Sequence, residues 1–166
     1  MYERILVAVD GSPTSDRALA EAIGLARRLD AELVVAHVVD NSFIRYDVGY
    51  LDVGGFMELL REQGKQIVAS GLDQARKAGV RAQTLLVEDP LASFDVGLAV
   101  EEAAREAGAQ LLVLGTHGRR GVRRLLLGSV AESVARQSRL PVLLVRGVPE
   151  APAERSSEGV AHGVTA

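Results

Sequence analysis

Short, nearly uninterrupted apolar runs alternate along this chain with longer segments in which apolar residues return every three or four positions. Runs of the first kind lie at Arg4–Val9, Glu32–Val38, Arg81–Val87, Gln110–Leu114 and Pro141–Val145, all rich in Val, Leu or Ile. They show little polar alternation, which is the pattern of strands covered on both faces. Segments of the second kind predict helices over Pro13–Leu29, near Met57–Lys77, near Ala92–Ala107 and over roughly Ser129–Gln137. Strands alternating with helices build a parallel sheet through βαβ crossovers. The expected fold class is therefore α/β, a single open five-stranded parallel sheet with helices on both faces.

Local signals punctuate this pattern. Ser12 is a suitable N-cap, Pro13 fits the first helical position, and Ala18, Ala22, Ile23, Leu25 and Ala26 supply an apolar stripe. Gly79 and Gly108 suit left-handed C-caps ahead of the next strands. The stretch Asn41–Gly55 holds Gly49, Gly54 and Gly55 together with Phe43, Tyr46 and Tyr50, has no clean period, and reads as a long surface loop. From Val148 onward, Pro149, Pro152, Ser156 and Ser157 stand among few apolar residues. Such a segment cannot offset its ordering entropy by burial. A domain over residues 1–147 and a disordered tail over 148–166 are expected.

Composition narrows the chemistry. With 166 residues and 48% hydrophobic content the chain can bury one real core, and a second domain is not expected. The absence of cysteine excludes disulfides, thiolate zinc sites and cysteine nucleophiles. The apolar run Ile5–Val9 behind Met1-Tyr2-Glu3-Arg4 is far too short for a signal-peptide core or a membrane span. A cytoplasmic protein with no membrane partner is the expectation. A net charge of −3 offers no global attraction to nucleic acid.

Ligands of open parallel sheets bind beyond the carboxyl ends of the strands, where crossovers depart on opposite faces. The first strand ends in Val9-Asp10-Gly11-Ser12, the second in His37-Val38-Val39-Asp40, and the fourth in Leu114-Gly115-Thr116-His117-Gly118. The segment from Gly115 to Ser129 joins a strand to a helix. Its glycines let the backbone approach a ligand, and Gly128 and Ser129 would aim helix-start N–H groups and a hydroxyl at an anion. This is phosphate-binding chemistry, though neither the G-x4-G-K-[ST] loop nor the G-x-G-x-x-G fingerprint is present. Arg119, Arg120, Arg123 and Arg124 lie in a stretch, Ala107 to Ala131, without an acidic residue. They read as triphosphate support, Arg119 or Arg120 being better placed than the later pair, or else as a solvated loop face. No aromatics interleave them, so nucleic-acid binding is not expected. Asp10 suits either a ligand contact or a cap for the following turn. His37 reads as a buried, hydrogen-bonded strand residue and His117 as a positional or exposed loop residue, neither as a catalyst. No catalytic residue and no metal-ligand spacing stands out.

Gly115, Gly118, Gly128 and Ser129 fit the spacing G-x2-G-x9-G-[ST]. With the opening Ile5–Ser12, Ala36-His37-Val38 and the closing Pro141–Val145, the chain over about residues 1–146 resembles the ATP-binding members of the universal stress protein family. The resemblance implies strand order 3-2-1-4-5, as in adenine nucleotide alpha hydrolase-like folds. It also implies a homodimer through antiparallel pairing of the last strands, Pro141–Val145, and ATP bound with Mg²⁺ or Mn²⁺ through its phosphates. Carried over by position, Asp10 approaches the adenosine and Val38 lines the adenine pocket. Gly115 and Gly118 flank ribose and phosphates, while Gly128, Ser129 and Val130 serve the phosphate chain. Ala131 stands where some relatives have threonine, removing one hydroxyl contact. The implied function is a dimeric regulatory module of the stress response, with slow ATP hydrolysis at most and an unidentified regulated protein. Two alternatives remain: a nucleotide-free dimeric module of the same fold, and an ATP-using enzyme of the pyrophosphatase type. Asp10-Gly11-Ser12-Pro13 is a poor version of the S-G-G-x-D-S loop that such an enzyme uses.

Overall fold

The five apolar runs assemble into one sheet in the computed structural model, which describes residues 1–41, 52–88, 95–118 and 127–147. In chain order the elements are β1 (Arg4–Ala8), α1 (Pro13–Leu29), β2 (Glu32–Val38), α2 (Val53–Lys77), β3 (Ala82–Val87), α3 (Val96–Glu106), β4 (Leu111–Gly115), α4 (Ser129–Gln137) and β5 (Val142–Val145). The strand order is β3-β2-β1-β4-β5 and every neighbouring pair is parallel, as expected.

Register explains why polar alternation is missing. Leu6 pairs with Val34 on one side and Leu112 on the other. These three side chains join one core with Ala99, Val100 and Ala104 of α3 and Ala131 and Val134 of α4. Their neighbours Ile5, Val7, Leu33, Val35 and Val113 pack on the opposite face against Ala18, Leu19, Ala22 and Ala26 of α1 and Val68 and Ala75 of α2. Ile5, Leu6, Leu33 and Leu112 are all 0% exposed. Burying each such side chain contributes roughly 1.5–3 kcal/mol, so both faces of the central strands hold the sheet.

The helix layers also set the topology. α1 and α2 cover one face and serve the crossovers leading outward from β1; α3 and α4 cover the other and serve β4 and β5. The chain therefore changes faces between the neighbours β1 and β4, and a crevice opens at their carboxyl ends.

Several boundaries follow capping chemistry more closely than apolar spacing. Ser12 caps α1 as expected, accepting from the Ser15 amide at 3.2 Å. Gly79 and Gly108 have φ of +77° and +67°, the left-handed conformation expected of them after α2 and α3. The stretch Asn41–Gly55 is corrected at its end, because α2 begins at Val53 rather than near Met57 and Asp52 caps it through the Gly55 amide. Gly54 and Gly55, poor helix formers, conceal that first turn. Residues 42–51 lie outside the described residues. α3 begins at Val96 rather than near Ala92, since Asp95 accepts from the Gly97 and Leu98 amides and starts the helix there. The tail over 148–166 also lies outside the described residues.

Candidate functional site

Pairing of Ala8 with Leu114 sets the loops after β1 and β4 side by side. Beyond β1, Val9 keeps the sheet's hydrogen bonding, donating to Ala36 O at 2.8 Å, and Asp10 then turns the chain. Asp10 Oδ1 accepts from the Ser12 amide at 2.9 Å, so one oxygen of this carboxylate does brace the turn into α1. The other oxygen faces β4, because a Cβ on Gly118 would lie 2.5 Å from Asp10 Oδ2. The capping reading of Asp10 is thus seen at Oδ1, while Oδ2 sets the carboxylate against Gly118.

Among the described residues, Gly115, Gly118 and Gly128 stand at close contacts. A Cβ on Gly115 would meet Thr14 Cγ2 at 2.8 Å and the Thr14 carbonyl at 3.2 Å, where α1 starts above the strand end. A Cβ on Gly128 would meet Thr116 O at 3.1 Å, and the Gly128 amide donates to that same oxygen at 2.8 Å. This bond brings the two ends of the loop together. Arg119, with Arg120, Arg123 and Arg124, lies outside the described residues.

At Gly128 the chain enters α4 in extended conformation, with φ −63° and ψ 151°, and among the described residues no side chain caps the helix. The amides of Ser129, Val130 and Ala131 precede the first intrahelical bond, which Glu132 donates to Gly128 O at 2.8 Å. Main-chain N–H groups in this position carry the positive end of the helix dipole. Ser129 is exposed and Val130 half-buried. Val38 ends β2 opposite Val87 and is 8% exposed, within the core on the α3–α4 face.

The two described histidines, His37 and His117, have structural partners. His37 is buried and its Nδ1 lies 2.7 Å from Val9 O. A carbonyl only accepts, so Nδ1 carries the proton and the imidazole anchors the backbone one residue before Asp10. His117 is half-buried and shares a 3.0 Å hydrogen bond with the buried Thr116 hydroxyl. Thr14 and Thr116 do not stand out in the sequence. Their signal is weak, since a threonine in a first helical turn or a loop is ordinary, and only the packing gives each a glycine partner.

A second concavity, an open groove of about 570 Å³, runs along β3 and α3. Leu85, Val87 and Ala103 line it, but so do Glu88 and Glu106. Hydrogen bonding to Arg61 holds the Glu88 carboxyl below its ordinary range. Carboxylates thus stand on this rim, whereas the amides at the start of α4 carry partial positive charge. Among the described residues no helix is long and apolar enough to cross a membrane, and no group of three or more metal-ligating side chains occurs.

Known proteins with this sequence pattern and fold are readily found. A universal stress protein of Methanocaldococcus jannaschii is 36% identical over 149 residues, covering 88% of this chain and 83% of that protein. A crystal structure from the universal stress protein family of Burkholderia pseudomallei superimposes with a TM-score of 0.72 at 37% identity, covering 87% of this chain and 96% of the other. A universal stress protein solved in complex with cAMP matches with a TM-score of 0.59 at 28% identity, over 87% of this chain and 97% of the other. The model of the Universal stress protein family matches residues 1–146, and the chain belongs to that family.

Proposed function

We propose that this protein is a cytoplasmic adenine-nucleotide-binding module, with ATP as its principal ligand, held in the crevice between the ends of β1 and β4. The observation that carries the reading is the start of α4. Its first-turn amides have no side-chain cap, and the loop closed by Thr116 and Gly128 presents them beside Asp10 and Gly118. An anion there takes the place of the missing cap. The relative bound to cAMP supports the adenine part of the reading.

In this arrangement Asp10 approaches the adenosine, Val38 walls the adenine, and Gly115 and Gly118 allow ribose and phosphates to lie against the backbone. Gly128, Ser129 and Val130 grip the phosphate chain, and Arg119 adds positive charge from the intervening loop. Mg²⁺ or Mn²⁺ is held through the phosphates. The domain spans residues 1–147 and dimerises by antiparallel pairing of β5, an edge strand on which Val142, Leu143 and Leu144 are only partly buried. Nucleotide occupancy then regulates what the dimer contacts, with turnover below about one per second.

The test is direct. Small molecules released from freshly purified, denatured protein are identified by mass, and thermal unfolding is followed with ATP, AMP and cAMP. ATP with Mg²⁺ at about one hundred times its Kd stabilises the fold by roughly 2.7 kcal/mol. No shift with any of the three, together with no adenine compound in the extract, overturns the reading. A shift with cAMP alone keeps the site and replaces the ligand.

A further inference from the structure

Asp95 lies outside the glycine loop, at the head of α3, yet half of its hydrogen bonding is spent on α4. Its Oδ1 accepts from the amides of Gly97 at 2.8 Å and Leu98 at 3.2 Å. Its Oδ2 accepts from the Ser133 hydroxyl at 2.6 Å and the Gln137 amide at 3.1 Å. Gln137 Nε2 also donates to Ser133 Oγ at 2.7 Å, which closes a small network on one side of α4. Burial works against ionisation of this carboxyl, but the Ser133 hydroxyl, the Leu98 amide, the Gln137 amide and the Gly97 amide outweigh it and hold the group below its ordinary range. It is therefore ionised at neutral pH, and its hydrogen bonds are charge-assisted.

The two helices also touch closely at this point. A Cβ on Gly97 would fall 2.6 Å from Ser133 Cβ and 3.0 Å from the Val130 carbonyl. Ser133 follows Ser129 by one turn and Val130 by three residues, so the contact sits directly behind the first turn of α4. With nine residues the helix is only about 13 Å long, and few contacts set its tilt. On the sheet side Ala131 and Val134 hold it, at the loop end the Gly128–Thr116 bond, and at its back Asp95.

We propose that Asp95 is a positioning residue for the nucleotide's phosphates: through Ser133 it fixes the tilt of α4 and so the direction of the Ser129, Val130 and Ala131 amides. This inference rests on the nucleotide reading above. Asp95 itself touches no ligand. Amide donors act on an anion only at hydrogen-bond distance and angle, so a small rotation of α4 weakens several bonds together. The adenosine end of the ligand rests on the ends of β1, β2 and β4 rather than on α4 and does not feel that rotation.

The experiment compares ATP with adenosine by calorimetry on the full chain. Ser133→Ala removes the shorter of the two cross-helix bonds, leaves the one from Gln137 and keeps the α3 cap in place. Asp95→Ser keeps a capping oxygen for α3 but is too short to reach α4. Each variant weakens ATP binding about ten-fold, the worth of one charge-assisted hydrogen bond. Adenosine affinity stays within about two-fold, and the double variant is no worse than Asp95→Ser alone, because that change already removes the link to Ser133. Unchanged ATP affinity in both variants overturns the proposal, as does equal weakening of ATP and adenosine, which marks a merely structural cap. If the wild-type protein binds no nucleotide, the functional reading fails separately. Hydrogen exchange then decides the positioning role: faster exchange at Ser129–Ala131 in Ser133→Ala, with the melting temperature retained, supports it, and unchanged exchange overturns it.

Discussion

The turn after β1 and the loop after β4 lie side by side and start their helices in opposite ways. In the first, Asp10 braces the Ser12 amide, the Ser12 hydroxyl takes the Ser15 amide, and α1 is capped by its own chain. In the second, glycine stands at the cap position and α4 starts with no side-chain acceptor among the described residues. Asp52 and Asp95 cap α2 and α3 in the manner of α1. The contrast shows a division of labour. Three helix starts are closed by side chains of their own chain, and in the proposed function the fourth is the one that a ligand's negative charge completes.

The comparison breaks most severely when α4 is given a cap of its own. Gly128→Asp places a carboxylate where the proposed function puts the phosphates, and the extended backbone at this position accepts a side chain with a small shift away from Thr116 O. ATP affinity falls by at least about 100-fold through like-charge repulsion and loss of the amides, measured by calorimetry, while circular dichroism stays native. A smaller loss, about ten-fold or more, follows Gly118→Val, whose side chain forces the Asp10 carboxylate from its place. Unchanged affinity in both variants would show that α4 is not the anion site.

The converse change acts on the other member of the pair. Ser12→Ala removes the cap of α1 and lowers unfolding free energy by about 1 kcal/mol in urea titration, with ATP affinity kept because the Ser12 amide that holds Asp10 remains. The least effect is expected in acid. The Asp95 carboxyl is held below its ordinary range, so its stabilising contribution is complete above the unfolded value of about 4 and is lost as pH falls through the lower folded value. Wild type and Asp95→Asn therefore converge in melting temperature as pH drops below about 4, and a constant difference between them would dispose of that contribution.

Much of this architecture is legible in the order of residues. The five strands and four helices follow from burial on both sheet faces and from helical periodicity, and Ser12, Gly79 and Gly108 mark helix ends by rules that operate within one turn. The start of α2 is hidden by Gly54 and Gly55, whose poor propensity is overridden by the Asp52 cap. The start of α3 is obscured because the apolar residues Ala92 and Phe94 continue the pattern up to the capping Asp95. The strand order comes from the family resemblance, not from periodicity, which carries no information about which strands pair.

Composition and spacing by themselves determined that the chain forms a two-faced parallel sheet, and they singled out the glycine segment between β4 and α4 for phosphate. Tertiary structure decided that Asp10 lies against Gly118, that Thr116 closes on Gly128, that His37 braces Val9, and that Asp95 reaches Ser133 from 38 positions away. The division has a plain physical cause. Propensity, capping and hydrophobic period are interactions among residues a few positions apart, whereas a parallel sheet brings distant strand ends together only after every crossover has chosen its face.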